Sequence, residues 1–543
     1  MPGRRRSSSA STPISDGRLS PFPTLTVILR SLRTALVAAL LAGPALAQTS
    51  LPPPPPLPAD WHLRDADADG VPGISLDRAY ALLDGRTPAR DVVVAIIDSG
   101  VDLTHPDLVP VLWTNPGETA GNGVDDDGNG YVDDVHGWSF LGGPGGNVEH
   151  ERLERTRLVA RCRMDTAPDG TDCDALDAAL TEERQQLATQ AAQMGPIFQQ
   201  VREAHALLTA RFGPDYRLSG VDAAGDADVQ RARQVVAFVS AQGATPSDLA
   251  EFETYLTGQL QYNLNPDYDP RGMVGDDPDD VTERDYGVPD AAGPDPSHGT
   301  GVAGLVAAVR GNGLGIDGIA PARIMSVRAV PDGDERDKDV ANAIRYAVDN
   351  GAQIINMSFG KSLSPEKSAV DEAVAYAVAR GVLLVHASGN DGKDLDAPDS
   401  FNFPMRVYDD GGEAETWLEI GASAADAATL AAPFSNYGAT RVDLFAPGAA
   451  VTSLAPGGGV ATHDGTSFAA PVTTGVAALL MAYFPDLTAT DVRQILMDSA
   501  TRYADTATTR PGAEDATTFG ALSVSGGVVN AARAVELALE RTR

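Results

Sequence analysis

The chain has 543 residues, 43% of them apolar, with 41 Lys plus Arg against 75 Asp plus Glu and a net charge of −34. That length holds several domains or one large α/β unit with an insertion, and the apolar share supplies a core. So acidic a chain speaks against nucleic-acid binding and leaves room for cation sites.

In chain order, Arg30, Arg33, the apolar run Ala35 to Leu41 and Pro44-Ala45-Leu46-Ala47 match a charged n-region, an h-region and a small-x-small cleavage site. Residues 1–47 are expected to be a signal peptide with an extended N-region, cut after Ala47, for export to the periplasm or the medium. The apolar run is too short to span a membrane, so no span is expected after its removal. Pro52 to Pro56 form a stiff extended tether inside a linker at 48–60.

The β-branched run Val92 to Ile97 reads as a strand buried on both faces, which puts Asp98 at its carboxyl edge, where ligands gather in open α/β sheets. In Asp125 to His136 the oxygen-bearing residues Asp125, Asp127, Asn129 and Asp133 fall at positions 1, 3, 5 and 9. Gly130 stands at position 6 and the Tyr131 carbonyl at position 7, which is calcium-loop spacing. Position 12 is His136 rather than Glu, so a single calcium loop and a solvated acidic turn both remain open. Asp276-Asp277 and Asp279-Asp280 read as exposed charge.

Residues 141–262 break the α/β rhythm. They are rich in Ala, Gln, Glu and Arg with helical spacing, and predict an insertion of three or four helices between segments 61–140 and 263–543. Cys162 and Cys173 lie within it. Export would favour a disulfide between them, and otherwise they are free thiols.

His298 opens a small-residue helix. Strands are expected at 323–330, 354–359, 382–387, 417–422 and 441–445, and helices at 337–350, 365–380, 488–498 and 528–541. That alternation predicts a doubly wound, mostly parallel sheet flanked by helices. Gly465-Thr466-Ser467-Phe468-Ala469-Ala470-Pro471 leads into an apolar run. It places Ser467 in the first turn of a buried helix with Pro471 just inside its start. The N–H groups there lack internal partners and point at whatever reacts.

A hydroxyl nucleophile needs a neutral imidazole to take its proton, and the imidazole needs a buried carboxylate to hold its tautomer. Asp98, His298 and Ser467 supply those groups in the chain order of subtilisin itself. Asp98-Ser-Gly100, His105-Pro-Asp-Leu108, His298-Gly-Thr-Gly-Val-Ala-Gly304, Asn356-Met-Ser-Phe-Gly360, Ala387-Ser-Gly-Asn390, Gly465 to Pro471 and Gly526-Gly-Val-Val-Asn530 follow in sequence. Together they resemble the subtilisin-like serine protease family, of secreted bacterial type, over about 61–140 and 263–543.

The resemblance implies Ser467 as nucleophile, His298 as base then acid, and Asp98 as its orienter. Asn390 would serve the oxyanion beside the Ser467 N–H. Ser358, Phe359 and Gly360 would be the edge that pairs with substrate, and Ala387, Ser388 and Gly389 the opposite wall of the first pocket, with Asn402 at its base. Asp107 and Asn312 resemble positions near a second calcium site. It further implies a monomeric serine endopeptidase acting on proteins or peptides, with structural calcium and no cofactor for catalysis.

Two departures stand out. Gly301 occupies the place of a second His, and the insertion separates Asp98 from His298. The alternatives are a narrow-specificity processing protease gated by the insertion and a catalytically silent binding protein on the same fold.

Overall fold

The computed structural model describes residues 57–426 and 429–542, so the signal peptide expected at 1–47 and the Pro52 to Pro56 run lie outside the described residues. In chain order, the elements that position the site begin with α1 (Leu76–Leu82), β1 (Val92–Asp98) and β2 (Gly137–Ser139). The segment read from the sequence as an insertion contributes α2 (Glu154–Arg163), α3 (Cys173–Phe212), α4 (Ala227–Ala241) and α5 (Pro246–Gly258). There follow α6 (Ser297–Ala307), β3 (Ala322–Arg328), α7 (Asp337–Asp349), β4 (Ile354–Met357), α8 (Lys367–Ala379), β5 (Leu383–Ala387) and β6 (Trp417–Ser423). The last are β7 (Leu444–Pro447), the hairpin β8 (Val451–Ala455) and β9 (Gly459–His463), α9 (Thr466–Tyr483), α10 (Ala489–Ser499), β10 (Thr501–Arg502), β11 (Gly527–Val528) and α11 (Ala531–Arg541).

Nine of these strands form one sheet in the order β10-β11-β7-β6-β5-β4-β1-β3-β2, with only the β10–β11 pair antiparallel. The run of apolar residues in β1 explains its central place. Val92, Val94 and Ile96 pack into one core with α1, α6, α9, α10 and α11. Ala95 and Ile97 pack into a second core with α7 and α8 on the other face. A strand covered on both faces needs no polar alternation.

α9 is apolar and long enough to cross a membrane by composition, yet 89% of it is buried. It is the core helix beneath the sheet's carboxyl edge.

Two boundaries differ from the sequence reading with physical consequences. β4 ends at Met357 rather than 359, so Ser358-Phe359-Gly360 leaves the sheet as a free edge. α9 begins at Thr466, which puts Pro471 at its sixth residue rather than just inside the start. A proline has no N–H to return to the carbonyl four residues back. The carbonyl thus released is that of Ser467, and the Ser358 hydroxyl donates to it at 2.7 Å. The misread proline therefore helps tie the serine turn to the end of β4.

The insertion has its own apolar core, in which Met194, Phe198 and Val201 of α3 meet Val239 of α4 and Leu249, Phe252 and Leu256 of α5. A disulfide joins Cys162 and Cys173 across the α2–α3 connection.

Candidate active site

Asp98 ends β1, 1% exposed. Its Oδ1 accepts the Ser99 N–H at 2.7 Å and faces His298 Nδ1 at 2.7 Å. Oδ2 is buried without a hydrogen-bond partner among the described residues. His298 is the second residue of α6. The helix can approach so closely because residue 299 is glycine: a Cβ there would lie 2.1 Å from the Gly100 carbonyl oxygen. Burial of the ring opposes its charge, but the Asp98 carboxylate, by charge and hydrogen bond, outweighs that and with Asp295 holds the imidazole above its ordinary 6.5.

Ser467 stands in the first turn of α9 and lines one cavity of about 950 Å³ together with Asp98, His298 and Asn390. At rest its hydroxyl donates to the Ser358 carbonyl at 3.1 Å. Asn390 Oδ1 accepts from both the backbone N–H and the hydroxyl of Thr466, at 2.8 and 2.9 Å. Those two donors fix the amide's orientation and leave Nδ2 as its remaining donor group. A Cβ built on Gly465 would sit 3.6 Å from both Asn390 Nδ2 and Ser467 N, so the two donors flank one opening that glycine leaves clear.

Phe359, Gly360, Ala387 and Gly389 all line the cavity, and Asn402 lies beside both glycines, its Oδ1 2.3 Å from a Cβ built on Gly360 and 3.4 Å from one built on Gly389. Asn402 Nδ2 donates to the Ala387 carbonyl at 2.9 Å. Ser388 departs from the sequence reading in its side chain. It is fully buried, its hydroxyl donates to Asn436 O, and its own carbonyl accepts from Asn436 Nδ2. Thr466 was missed by the sequence reading although it sits inside the Gly-Thr-Ser stretch, and it is the residue that orients Asn390.

Gly301, where a second His was looked for, makes room for an aromatic stack. A Cβ there would meet Phe468 at 3.0 Å and His463 Nε2 at 3.4 Å. His463 and Phe468 stack at 4.3 Å, and the Phe468 ring meets His298 edge-on at 5.4 Å. The stack therefore packs against the His298 imidazole.

The insertion reaches this cavity. Glu183, Gln186, Leu187 and Gln190 of α3, and Phe252, Tyr255 and Leu256 of α5, form part of its wall.

The acidic loop is arranged differently from its spacing. Asp125 and Asp127 come together with Glu118, their oxygens all within 4.8 Å of one another. Glu118 was not singled out from the sequence, because it lies before the loop. Asn129 Oδ1 instead accepts the Tyr131 N–H, and the Tyr131 ring packs edge-on against Trp138 and Tyr346. Asp133 turns back to accept the N–H groups of Asn122 and Gly123. Asp107 is buried and accepts from Asn312 Nδ2 at 2.6 Å.

Residues 89–520 match the model of the subtilase family. The chain belongs to that family. This subtilase is 36% identical over 246 residues to the thermophilic serine proteinase of Bacillus sp. (strain AK1), covering 45% of the chain and 55% of that protein. It is 36% identical over 212 residues to subtilisin BL of Lederbergia lenta, covering 38% of the chain and 72% of that protein. A solved protease structure from Pseudoalteromonas arctica aligns over 90% of this chain and all of that one, at 20% identity and a TM-score of 0.45. The subtilase spans about half the length of the first of these relatives.

Proposed function

We propose that this subtilase is an exported serine endopeptidase that hydrolyses peptide bonds through Ser467, His298 and Asp98. The observation that carries the reading is the 2.7 Å contact between His298 Nδ1 and the buried Asp98 carboxylate, at the wall of the cavity that Ser467 also lines. Held by that contact, His298 keeps its proton on Nδ1 and offers Nε2 as the base. Ser467 leaves the Ser358 carbonyl, gives its proton to Nε2 and attacks the substrate carbonyl. Asn390 Nδ2 and the Ser467 N–H receive the oxyanion. The imidazolium then protonates the leaving amine, and water attacks the acyl-enzyme by the same route in reverse. Export rests on the sequence features of residues 1–47.

The test is hydrolysis of unfolded casein across pH. Only neutral His298 can act as base, and Asp98 and Asp295 raise its pKa, so kcat/KM should fall on the acid side through a value above 6.5. An acid limb at or below 6.5 would mean that Asp98 does not act on the imidazole in solution.

The insertion favours a second reading, narrow specificity. α3 and α5 wall part of the cavity, so an extended substrate meets more than the catalytic unit. Cleavage of casein at a few sites rather than many would support it.

Calcium is proposed as a structural cation held by Glu118, Asp125 and Asp127. Three carboxylates with converging oxygens suit a hard cation. Asp125 also accepts the N–H groups of Gly128, Asn129 and Gly130, which pre-shapes the loop. A cation bound only to the folded form, at a hundredfold above its Kd, stabilises by about 2.7 kcal/mol. Chelation should therefore lower the unfolding temperature, calcium should restore it, and Asp125→Asn should abolish the difference. A chelator-independent Tm would leave an acidic turn satisfied by its own backbone.

A further inference from the structure

The endopeptidase reading needs a backbone edge at Ser358-Phe359-Gly360 that faces the substrate, and an edge outside the sheet has no ladder to fix its peptide planes. Beneath it lies a buried polar pair that the catalytic steps do not use. His386 of β5 is fully buried and stands directly opposite Glu419 of β6 in the ladder. Its Nδ1 is 2.9 and 3.0 Å from the two Glu419 oxygens, and its Nε2 is 2.8 Å from the Phe359 carbonyl oxygen. Trp417 Nε1 donates to Glu419 Oε2 at 2.8 Å. The preceding residues of β5, Leu383, Leu384 and Val385, are aliphatic, and burying polar groups among them is costly unless each is bonded.

The bonds at both ring nitrogens need two protons in the pair. One sits on Nε2, aimed at Phe359, and the other lies between Nδ1 and the Glu419 carboxylate. With its carbonyl held inward, the trans peptide between Phe359 and Gly360 must turn the Gly360 N–H the opposite way. Gly360 lines the cavity, and among the described residues neither its N–H nor its carbonyl bonds to another backbone group. Asn402 fills the place a side chain would take, since a Cβ on Gly360 would lie 2.3 Å from Asn402 Oδ1.

We propose that His386, braced by Glu419, is a positioning residue that locks the Phe359–Gly360 peptide plane and so presents the Gly360 N–H to the backbone of an extended peptide substrate. The proposal rests on the endopeptidase reading, and what it adds is the part played by His386 and Glu419 in holding that edge.

Two substrates separate the roles: an N-acylated tetrapeptide anilide, which has a backbone to pair, and a small N-acetyl amino-acid ester, which has almost none. Rates are taken per active site, titrated with a fluorophosphonate, so misfolded molecules do not count. His386→Asn keeps a donor near Nδ1 for Glu419 but does not reach Phe359, whereas His386→Gln reaches Phe359. A hydrogen bond of ordinary strength corresponds to roughly tenfold. In His386→Asn the ratio of anilide to ester kcat/KM should fall about that much, through KM, and His386→Gln should recover most of it. A proportionate fall on both substrates, or no change, overturns the proposal alone. Wild-type protein that titrates no serine and cleaves neither substrate overturns the endopeptidase reading and this one with it. A measurement on the wild type needs no variant to fold: Gly360 amide exchange should slow when a peptidyl aldehyde binds and stay unchanged with a small inhibitor. Unslowed exchange with the peptidyl aldehyde overturns the proposal.

Discussion

Ser467→Ala is expected to lower casein turnover by about 10⁶-fold, the size that loss of the nucleophile has in subtilisin itself. The effect is large because the three residues act as a unit. Without the hydroxyl, His298 has no proton to take and Asp98 has no imidazolium to stabilise. The fold should be little disturbed, because the change removes only the 3.1 Å bond from Oγ to the Ser358 carbonyl and keeps the 2.7 Å bond from the Ser358 hydroxyl to the Ser467 backbone carbonyl. Asn390→Ala should cost less, about 10²–10³-fold in kcat, a range also taken from subtilisin. Its loss removes one of two oxyanion donors and frees Thr466, whose N–H and hydroxyl both bond to Asn390 Oδ1. A Ser467→Ala protein that still cleaves casein, measured free of contaminating protease, would sink the triad assignment and revive a binding role for this fold.

Much of this architecture was legible in the sequence because a doubly wound sheet writes itself in local terms. Val92 to Ile97 is apolar without alternation because both faces are covered. Thr488 and Asp491 form the capping box that starts α10 where the pattern begins. Asp98, His298 and Ser467 were legible as candidates because each lies at an element's end with its small neighbours beside it. What was not legible depends on pairs far apart in the chain. Glu118 joins the acidic loop from outside its spacing. His386 reads as one more residue of a buried strand until Glu419 and Phe359 are set beside it. Asp276 reads as exposed charge in an acidic run, yet it is buried against Arg271 and Lys338. Partners 5 and 62 positions away give no local periodicity to read.

The insertion is expected to be a structural part of the substrate edge, and Lys361→Met should show it by costing about 3–5 kcal/mol of stability, as removal of one member of a buried ion cluster does. Lys361 follows Gly360 directly. Its Nζ lies 2.7 Å from Glu154 Oε2 of α2 in the insertion, 2.8 Å from Asp337 Oδ1 at the start of α7, and 2.9 Å from the Glu335 carbonyl oxygen. Arg157 of α2 completes the cluster, pairing with Glu154 and donating to the carbonyls of Asp334 and Glu335. Burial alone would push Glu154 up, but Arg157 and Lys361 outweigh it and hold its carboxyl far below its ordinary 4.5. Burial alone would likewise push Lys361 down, but Glu154 and Asp337 hold it above its ordinary 10.5. The signs set a window. A depressed carboxyl contributes stability above its unfolded value and loses it as pH falls, and a raised amine contributes below its unfolded value and loses it as pH rises. Glu154 and Lys361 should therefore contribute fully between about 4.5 and 10.5, and Lys361→Met should narrow the difference from wild type toward both ends. Glu335 beside them, raised by burial to about 7, costs stability as pH rises from 4.5 to about 7 in both proteins. Denaturant unfolding of both proteins across pH checks this. Glu154→Gln combined with Lys361→Met should cost less than the two single changes added together, because each single change strands the other's charge. Strict additivity would mean that α2 and the substrate edge are neighbours without being coupled, and that the insertion rests on the cleft instead of holding it.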